Sequence, residues 1–222
     1  MFVPEKFDKD FDFCDRGEWQ ALIEKLGEII EFNPHDEEAY YNRSLCYAAI
    51  GNQEQSVADF DTAMELNPEN AEVYFYWRGY VYIRLRSYEQ AVENLTEAIN
   101  LDSQDFHAFF YRAIAYTELE KFVEAIQDYN RAIELNPEDI ETYYHRGAAY
   151  SEMGEYHKAI EDFDRVIRLS PEDEEAYFDR GMAHKRLGNK EQAVKDLKTS
   201  ARLGCVTAQI YLNEKQIEWQ DF

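Results

Sequence analysis

Proline recurs in one phase along this chain. Pro34 and Pro68 are 34 residues apart, and so are Pro137 and Pro171. Pro68 and Pro137 are 69 apart, one more than two such steps. Ser103 stands where the intervening proline is missing, so one residue is inserted between Pro68 and Ser103, and aligning the arginines puts it near Ala71. Other columns keep the same phase. Arg43, Arg78, Arg112, Arg146 and Arg180 form one. Tyr47, Tyr82, Tyr116 and Tyr150 form a second, closed by His184. Ala63, Ala98 and Ala132 form a third, continued by Val166 and Ser200. A turn column holds Gly17, Gly51, Gly154 and Gly188, with Arg86 and Glu120 in the middle copies. Agreement of several columns on one period near 34 residues restricts the fold to an array of like units, each covering its neighbour.

Within a unit the apolar residues have helical spacing. In the unit that follows Pro137, Tyr143, Tyr144, Gly147 and Tyr150 share one side of a first helix. Ala159, Ile160, Phe163 and Ile167 share one side of a second. Met153-Gly154-Glu155 supplies the turn between them, glycine ending the first helix. Asn136-Pro137-Glu138-Asp139 stops one hairpin and starts the next, since proline cannot continue a helix and acids suit a helix N-terminus. The whole chain has only 9 glycines and 5 prolines in 222 residues, as helices joined by short connections require.

The stretches Ala39-Tyr40-Tyr41-Asn42-Arg43, Ala125-Ile126-Gln127-Asp128-Tyr129 and Ala132-Ile133-Glu134-Leu135-Asn136-Pro137 resemble the tetratricopeptide repeat (TPR) family over nearly the whole chain. The resemblance implies an all-α, right-handed solenoid of stacked antiparallel hairpins. Its expected organisation is one continuous array. A degenerate first unit occupies 1–36. Five good units follow at 37–70, 72–105, 106–139, 140–173 and 174–207. A capping helix over 206–219 closes the array. The first unit is a poor copy: Phe7, Phe11 and Cys14 keep one helical side, but Lys6, Lys9 and Asp10 fill places that are aromatic, arginine and small elsewhere. Terminal units of an array are expected to differ in this way.

Charge sorts the possible partners. A formal net charge of −23 repels phosphate backbones and anionic membranes, so neither nucleic acid nor a membrane is expected as a partner. Cys14, Cys46 and Cys205 are odd in number and far apart, which gives no disulfide framework or metal spacing and fits a reducing, cytoplasmic setting. The N-terminus lacks the pattern of a signal peptide. His35, His107, His145, His157 and His184 show no zinc spacing. With no phosphate loop or nucleophile elbow either, no catalytic residue, metal or cofactor is expected, and the chain reads as a non-enzyme.

Two sets of columns remain. Asp59, Asp128, Asp162 and Asp196, with Asn94 in the third unit, sit level with the arginines and are expected to pair with them inside a unit or to its neighbour. The family resemblance places ligands on the inner side, lined by first helices. There the expected protein-binding groove holds Tyr41, Tyr76, Phe110, Tyr144 and Phe178, and one turn on Tyr80 and Ile114. Trp77 and Arg84 join them: Trp77 replaces the Asn42, Tyr111, His145 and Asp179 of sister units, and Tyr76, Tyr80 and Arg84 make one stripe. Trp77 has two readings, a binding hot spot or a filler of space left by the insertion.

Glu38, Glu118, Glu141, Glu152 and Glu175 edge that side. The function this supports is an adaptor or scaffold holding a protein or peptide with apolar and basic residues. Family members that grip acidic chaperone tails use inward Lys, Asn and Arg, whereas the matching places here hold Glu38, Val73, His107, Glu141 and Glu175, so no such carboxylate clamp is expected. The alternative function is homo-oligomerisation through an end face or the cap helix, for which Trp219 and Phe222 are the pointers.

Overall fold

The computed structural model describes residues 16–219. Phe7, Phe11, Cys14 and Phe222 lie outside the described residues. Among those described there are twelve α-helices, one 3-10 turn and no strand. The chain divides into two compact units, 1–103 and 104–222. The division falls at Ser103, in the connection that lacks the recurring proline.

The first unit contains α1 (Arg16–Phe32), α2 (Glu37–Ala49), α3 (Gln53–Leu66), α4 (Ala71–Arg84) and α5 (Tyr88–Leu101). The pairs α2/α3 and α4/α5 are hairpins, α1 packs on α2, and α3 packs on α4. The core holds Tyr41, Leu45, Phe60, Ala63, Tyr74 and Val81. The second unit contains hairpins α6 (Phe106–Glu118)/α7 (Phe122–Leu135), α8 (Ile140–Glu152)/α9 (Tyr156–Leu169) and α10 (Glu174–Arg186)/α11 (Lys190–Leu203), then α12 (Val206–Glu214). Within each unit, each second helix packs on the next first helix, and first helices of adjacent hairpins also touch. The cap differs from the expected 206–219 helix. It stops at Glu214, Gln216 turns the backbone at φ 56°, and Ile217 and Trp219 return onto Leu197, Ala201, Ala208 and Leu212.

The connections explain the proline phase. Asp36, Asp139 and Asp173 cap the helices that follow by accepting from the backbone N–H three residues on, at 2.8–3.0 Å. Asp105 accepts from His107 N–H at 2.9 Å. The inserted residue removes this device from one unit: Pro68–Asn70 forms a 3-10 turn, and α4 begins without a side-chain cap.

The arginine column joins helices and hairpins. Arg43, Arg112, Arg146 and Arg180 each present a two-pronged fork to Asp59, Asp128, Asp162 and Asp196 of their own hairpin, at 2.5–2.9 Å. Arg78 donates to Asn94 at 2.6 Å. A further N–H of Arg78, Arg146 and Arg180 reaches the preceding hairpin, at Asp61, Asn130 and Asp164. The aromatic columns flank these cations: Arg146 lies 5.7 Å from the Tyr143 ring and 5.9 Å from Tyr150. The expected column is therefore paired inside the unit, while the bonds to the neighbour go to Asp61, Asn130 and Asp164, which the sequence columns do not single out.

The turn column carries positive φ at every copy from Gly51 on: 82° at Gly51, 57° at Arg86, 58° at Glu120, 76° at Gly154 and 81° at Gly188. Gly17 instead lies in the first turn of α1. An L-residue in the left-handed region costs about 1 kcal/mol. Arg86→Gly and Glu120→Gly should therefore each stabilise by about 0.5 kcal/mol after the added chain entropy of glycine, and Gly154→Ala should destabilise by a similar amount, as read from urea midpoints.

Candidate protein-binding surface

In the first unit, the expected groove column divides by depth. Tyr41 and Tyr80 are each only 6% exposed and belong to the core. Tyr41 meets Phe60 edge-on at 6.1 Å and lies 5.6 Å from the Tyr74 ring. Tyr76 and Trp77 are half-buried, and Arg84 is exposed at the end of α4. Trp77 sits edge-on to Tyr76 at 5.2 Å and to Tyr80 at 5.7 Å, and packs against the core that contains Tyr41 and Tyr74. Its ring is thus shared between packing and surface, which favours the space-filling reading for at least part of it.

In the second unit, Phe110 is 5% exposed. It is enclosed by Phe106, Tyr111, Tyr129 and His145 at 5.2–6.3 Å. His145 lies flat against Tyr129 at 6.3 Å, and burial pushes its imidazole below the usual histidine range. His107, exposed at the start of α6, meets Phe106. Ile114, Tyr144 and Phe178 are half-buried. Phe178 packs on the α11/α12 cluster. The side chains left accessible are therefore Tyr76, Trp77 and Arg84 in one unit, and Ile114, Tyr144 and Phe178 in the other. Glu38, Glu118, Glu141, Glu152 and Glu175 are all exposed on the same first helices. Tyr41, Tyr80 and Phe110 are buried rather than groove-lining in this structure.

The column that holds Trp77 does more than the sequence reading assigned to it. Tyr144 O–H donates to Asp179 Oδ2 of the next hairpin at 2.7 Å. Burial raises the Asp179 carboxyl, with Glu175 and Asp173 adding to the rise while the Tyr144 bond opposes it. Tyr41 holds the place of Tyr144 three units earlier, and Trp77 holds the place of Asp179. With no acceptor there, the buried Tyr41 hydroxyl is left without a hydrogen-bond partner. The substitution pattern in the column could have revealed this difference.

Sequence reading also missed a cavity of about 530 Å³ lined by Phe75, Arg78, Val92, Glu93, Asn94, Thr96 and Glu97. The signal was Asn94, alone in a column of aspartates. Among the described residues no group of His, Cys, Asp or Glu is placed to hold a metal, and no described helix is long and apolar enough to cross a membrane.

Family models for the tetratricopeptide repeat match residues 37–70, 73–105, 140–173 and 174–203, and a further TPR-repeat model matches 114–154. The chain belongs to the tetratricopeptide repeat family. Among curated relatives, the bovine (Bos taurus) protein SGT1 homolog is 34% identical over 86 residues, 39% of this chain and 25% of that protein. The Hsp70-Hsp90 organizing protein 3 of Arabidopsis thaliana is 32% identical over 101 residues, 46% of this chain and 18% of that protein. This TPR chain thus spans a quarter or less of the length of either relative. Among solved structures, MamA aligns with a TM-score of 0.69 and 26% identity, covering 75% of this chain and 96% of MamA. YrrB, described as a TPR protein with an unusual peptide-binding site, aligns with a TM-score of 0.73 at 24% identity, over 88% of this chain and 100% of its own. The YrrB likeness supports the fold alone.

Two measurements test this geometry. Tyr144→Phe strands the Asp179 carboxylate and should destabilise by about 1–2 kcal/mol, whereas Tyr41→Phe removes an orphaned hydroxyl and should be neutral or stabilising; urea unfolding distinguishes them. His145 folds with a lowered pKa, so its contribution is present above the unfolded value of about 6.5 and is lost as pH falls through the folded one. The wild-type melting temperature should therefore drop more between about pH 7.5 and pH 5 than that of His145→Phe.

Proposed function

We propose that the chain is a non-catalytic adaptor that holds a protein segment against the first helices of its hairpins. The observation that carries this reading is the pairing of half-buried apolar side chains with exposed glutamates on those helices: Tyr144 and Phe178 stand beside Glu141 and Glu175 in the second unit. Aromatic rings with one wet edge supply contact area at low entropic cost, and carboxylates select the partner's charge. The preferred ligand is a peptide or protein segment with apolar anchors and Lys or Arg beside them.

The Arabidopsis relative bears the name of an Hsp70-Hsp90 organizing protein, and YrrB is described as peptide-binding. The first of these names supports protein binding as the class of function. The ligand chemistry proposed for this chain differs from an acidic tail, because Glu38, Glu141 and Glu175 occupy the places where a carboxylate clamp needs cations.

A displayed peptide library tests the proposal. Retained peptides should be rich in Lys and Arg beside apolar residues. The double variant Glu141→Lys, Glu175→Lys should weaken their binding by about tenfold or more, and raising salt should weaken binding to the parent chain. Retention of acidic peptides with nanomolar affinity would overturn the charge assignment.

A further inference from the structure

The aromatic ring beside the column arginine is served differently from copy to copy. In two hairpins of the second unit the ring has two cations. Arg112 lies 5.7 Å from the Phe109 ring and Arg131 5.9 Å; Arg146 and Arg165 each lie 5.7 Å from Tyr143. The added cation comes from the second helix of the same hairpin, and a carboxylate holds it. Arg131 donates to Glu134 at 2.8 Å, and Arg165 to Glu138 at 2.9 Å. In the repeat register the place of Arg131 and Arg165 is taken by Thr62, Glu97 and Thr199 in the other three units. Thr62 and Thr199 turn back on their own helices and donate to the Ala58 and Lys195 carbonyls. Glu97 is the one member of this column that brings a negative charge.

The ring of that hairpin is Phe75, half-buried, with Arg78 at 5.3 Å. Phe75, Arg78, Glu93 and Glu97 all line the cavity of about 530 Å³ walled by α4 and α5. A smaller cavity of about 350 Å³, lined by Asp61, Met64 and Glu65, shares Phe75 and Arg78 with it. Arg78 is the one cation among these lining residues, and it is already bonded to Asp61 and Asn94. Glu65, Glu93 and Glu97 are exposed. The hairpin therefore keeps the ring and the carboxylate of its sisters' arrangement but not their second arginine, and it has open space beside both.

We propose that this cavity receives an arginine side chain of a partner protein, its guanidinium against the Phe75 ring and donating to Glu97, with Glu93 adding to the attraction. Arg131 and Arg165 show what such a ring accepts in this chain, a guanidinium held by a carboxylate. A planar guanidinium can lie on a ring and bond a carboxylate at once, which favours arginine over lysine. Two guanidiniums share one ring in both sister hairpins, so Arg78 does not bar the second. Phe75 and Arg78, three residues apart, lie on a different stripe of α4 from Tyr76 and Tyr80. The site thus goes beyond the peptide-holding role of the first-helix face and does not depend on it.

Titration of the isotope-labelled full chain with N-acetyl-arginine amide, followed residue by residue by NMR, tests this. The probe should shift the signals of Phe75, Val92, Glu93 and Glu97, with a dissociation constant on the order of 1–10 mM, as one side chain can supply. N-acetyl-citrulline amide, equal in shape but uncharged, should leave those signals in place. Glu97→Gln should weaken the probe about fivefold. Glu97→Arg gives the hairpin the residue of its two sisters; it should abolish the shifts and melt no lower than wild type. Both substitutions change one exposed side chain, so folding is kept. Absence of shifts at these residues up to about 100 mM probe overturns the proposal. So does an equal response to the citrulline probe, or binding that survives in Glu97→Arg. Shifts confined to first-helix residues such as Tyr76 and Tyr144 also overturn it, while leaving the peptide-holding reading intact.

Discussion

The arginine column is the interaction on which both units depend. The guanidiniums of Arg43, Arg112 and Arg146 lie between two aromatic rings of their own helix, and all column arginines but Arg78 offer a fork to the second helix of the hairpin. In three copies the guanidinium sends a further N–H to the preceding hairpin. One side chain thus fixes a helix to its partner and a hairpin to its neighbour. The energetic return is smaller than the bond count suggests. Burial raises the Asp162 carboxyl in spite of Arg146, a sign that desolvation offsets much of the attraction. What the column supplies in full is register: sliding one helix past the other by a turn would leave a partly buried guanidinium and a buried carboxylate without partners, at a cost of about 3–5 kcal/mol.

With register fixed by that column, the remaining positions are free to differ from copy to copy, and the differences are where the units acquire individual character. Ala39, Ala108, Thr142 and Ala176 are buried small residues at one place on the first helices, and Tyr74 stands there in α4. Its ring fills the junction beside Tyr41. The same hairpin carries the insertion, lacks the aspartate cap and holds Trp77 where another copy holds Asp179. These changes are linked. A tyrosine in a small-residue place needs room, the extra residue and the 3-10 turn alter the approach of α4, and Trp77 covers what is opened. The cost surfaces as one buried hydroxyl without a partner on Tyr41.

The fold was legible in the sequence because its signals repeat. Prolines, glycines, arginines and tyrosines each report a contact that recurs in most hairpins, so their shared period gives helix order and pairing, down to Arg43 with Asp59. Depth does not repeat in that way. The spacing of Tyr41, Tyr76, Phe110, Tyr144 and Phe178 correctly gives a shared helical face, but whether a ring on that face reaches solvent depends on what the adjacent first helix presents. Phe110 is closed over by His145 and Tyr129, whereas Tyr144 keeps an open edge because Asp179 is small and draws the hydroxyl toward itself. A face can be read from one helix; exposure requires two. The cap shows the same limit, since Gln216 adopts a left-handed turn that no recurring glycine announces.

Charge allocation follows from the same architecture. Five of the 23 cationic residues are the column arginines, and they are committed inside the hairpins. The cations still available to a partner are therefore fewer than composition implies, and many of them lie on α10 and α11, beyond Gly181. The acids divide differently: Asp59, Asp128, Asp162 and Asp196 are buried, and Glu38, Glu118, Glu141, Glu152 and Glu175 stay in water. Exposed glutamates thus mark several first helices, whereas α11 carries Lys190, Lys195, Lys198 and Arg202 against Glu191 and Asp196. A uniformly acidic surface would serve solubility alone. An uneven one gives an approaching basic segment a direction.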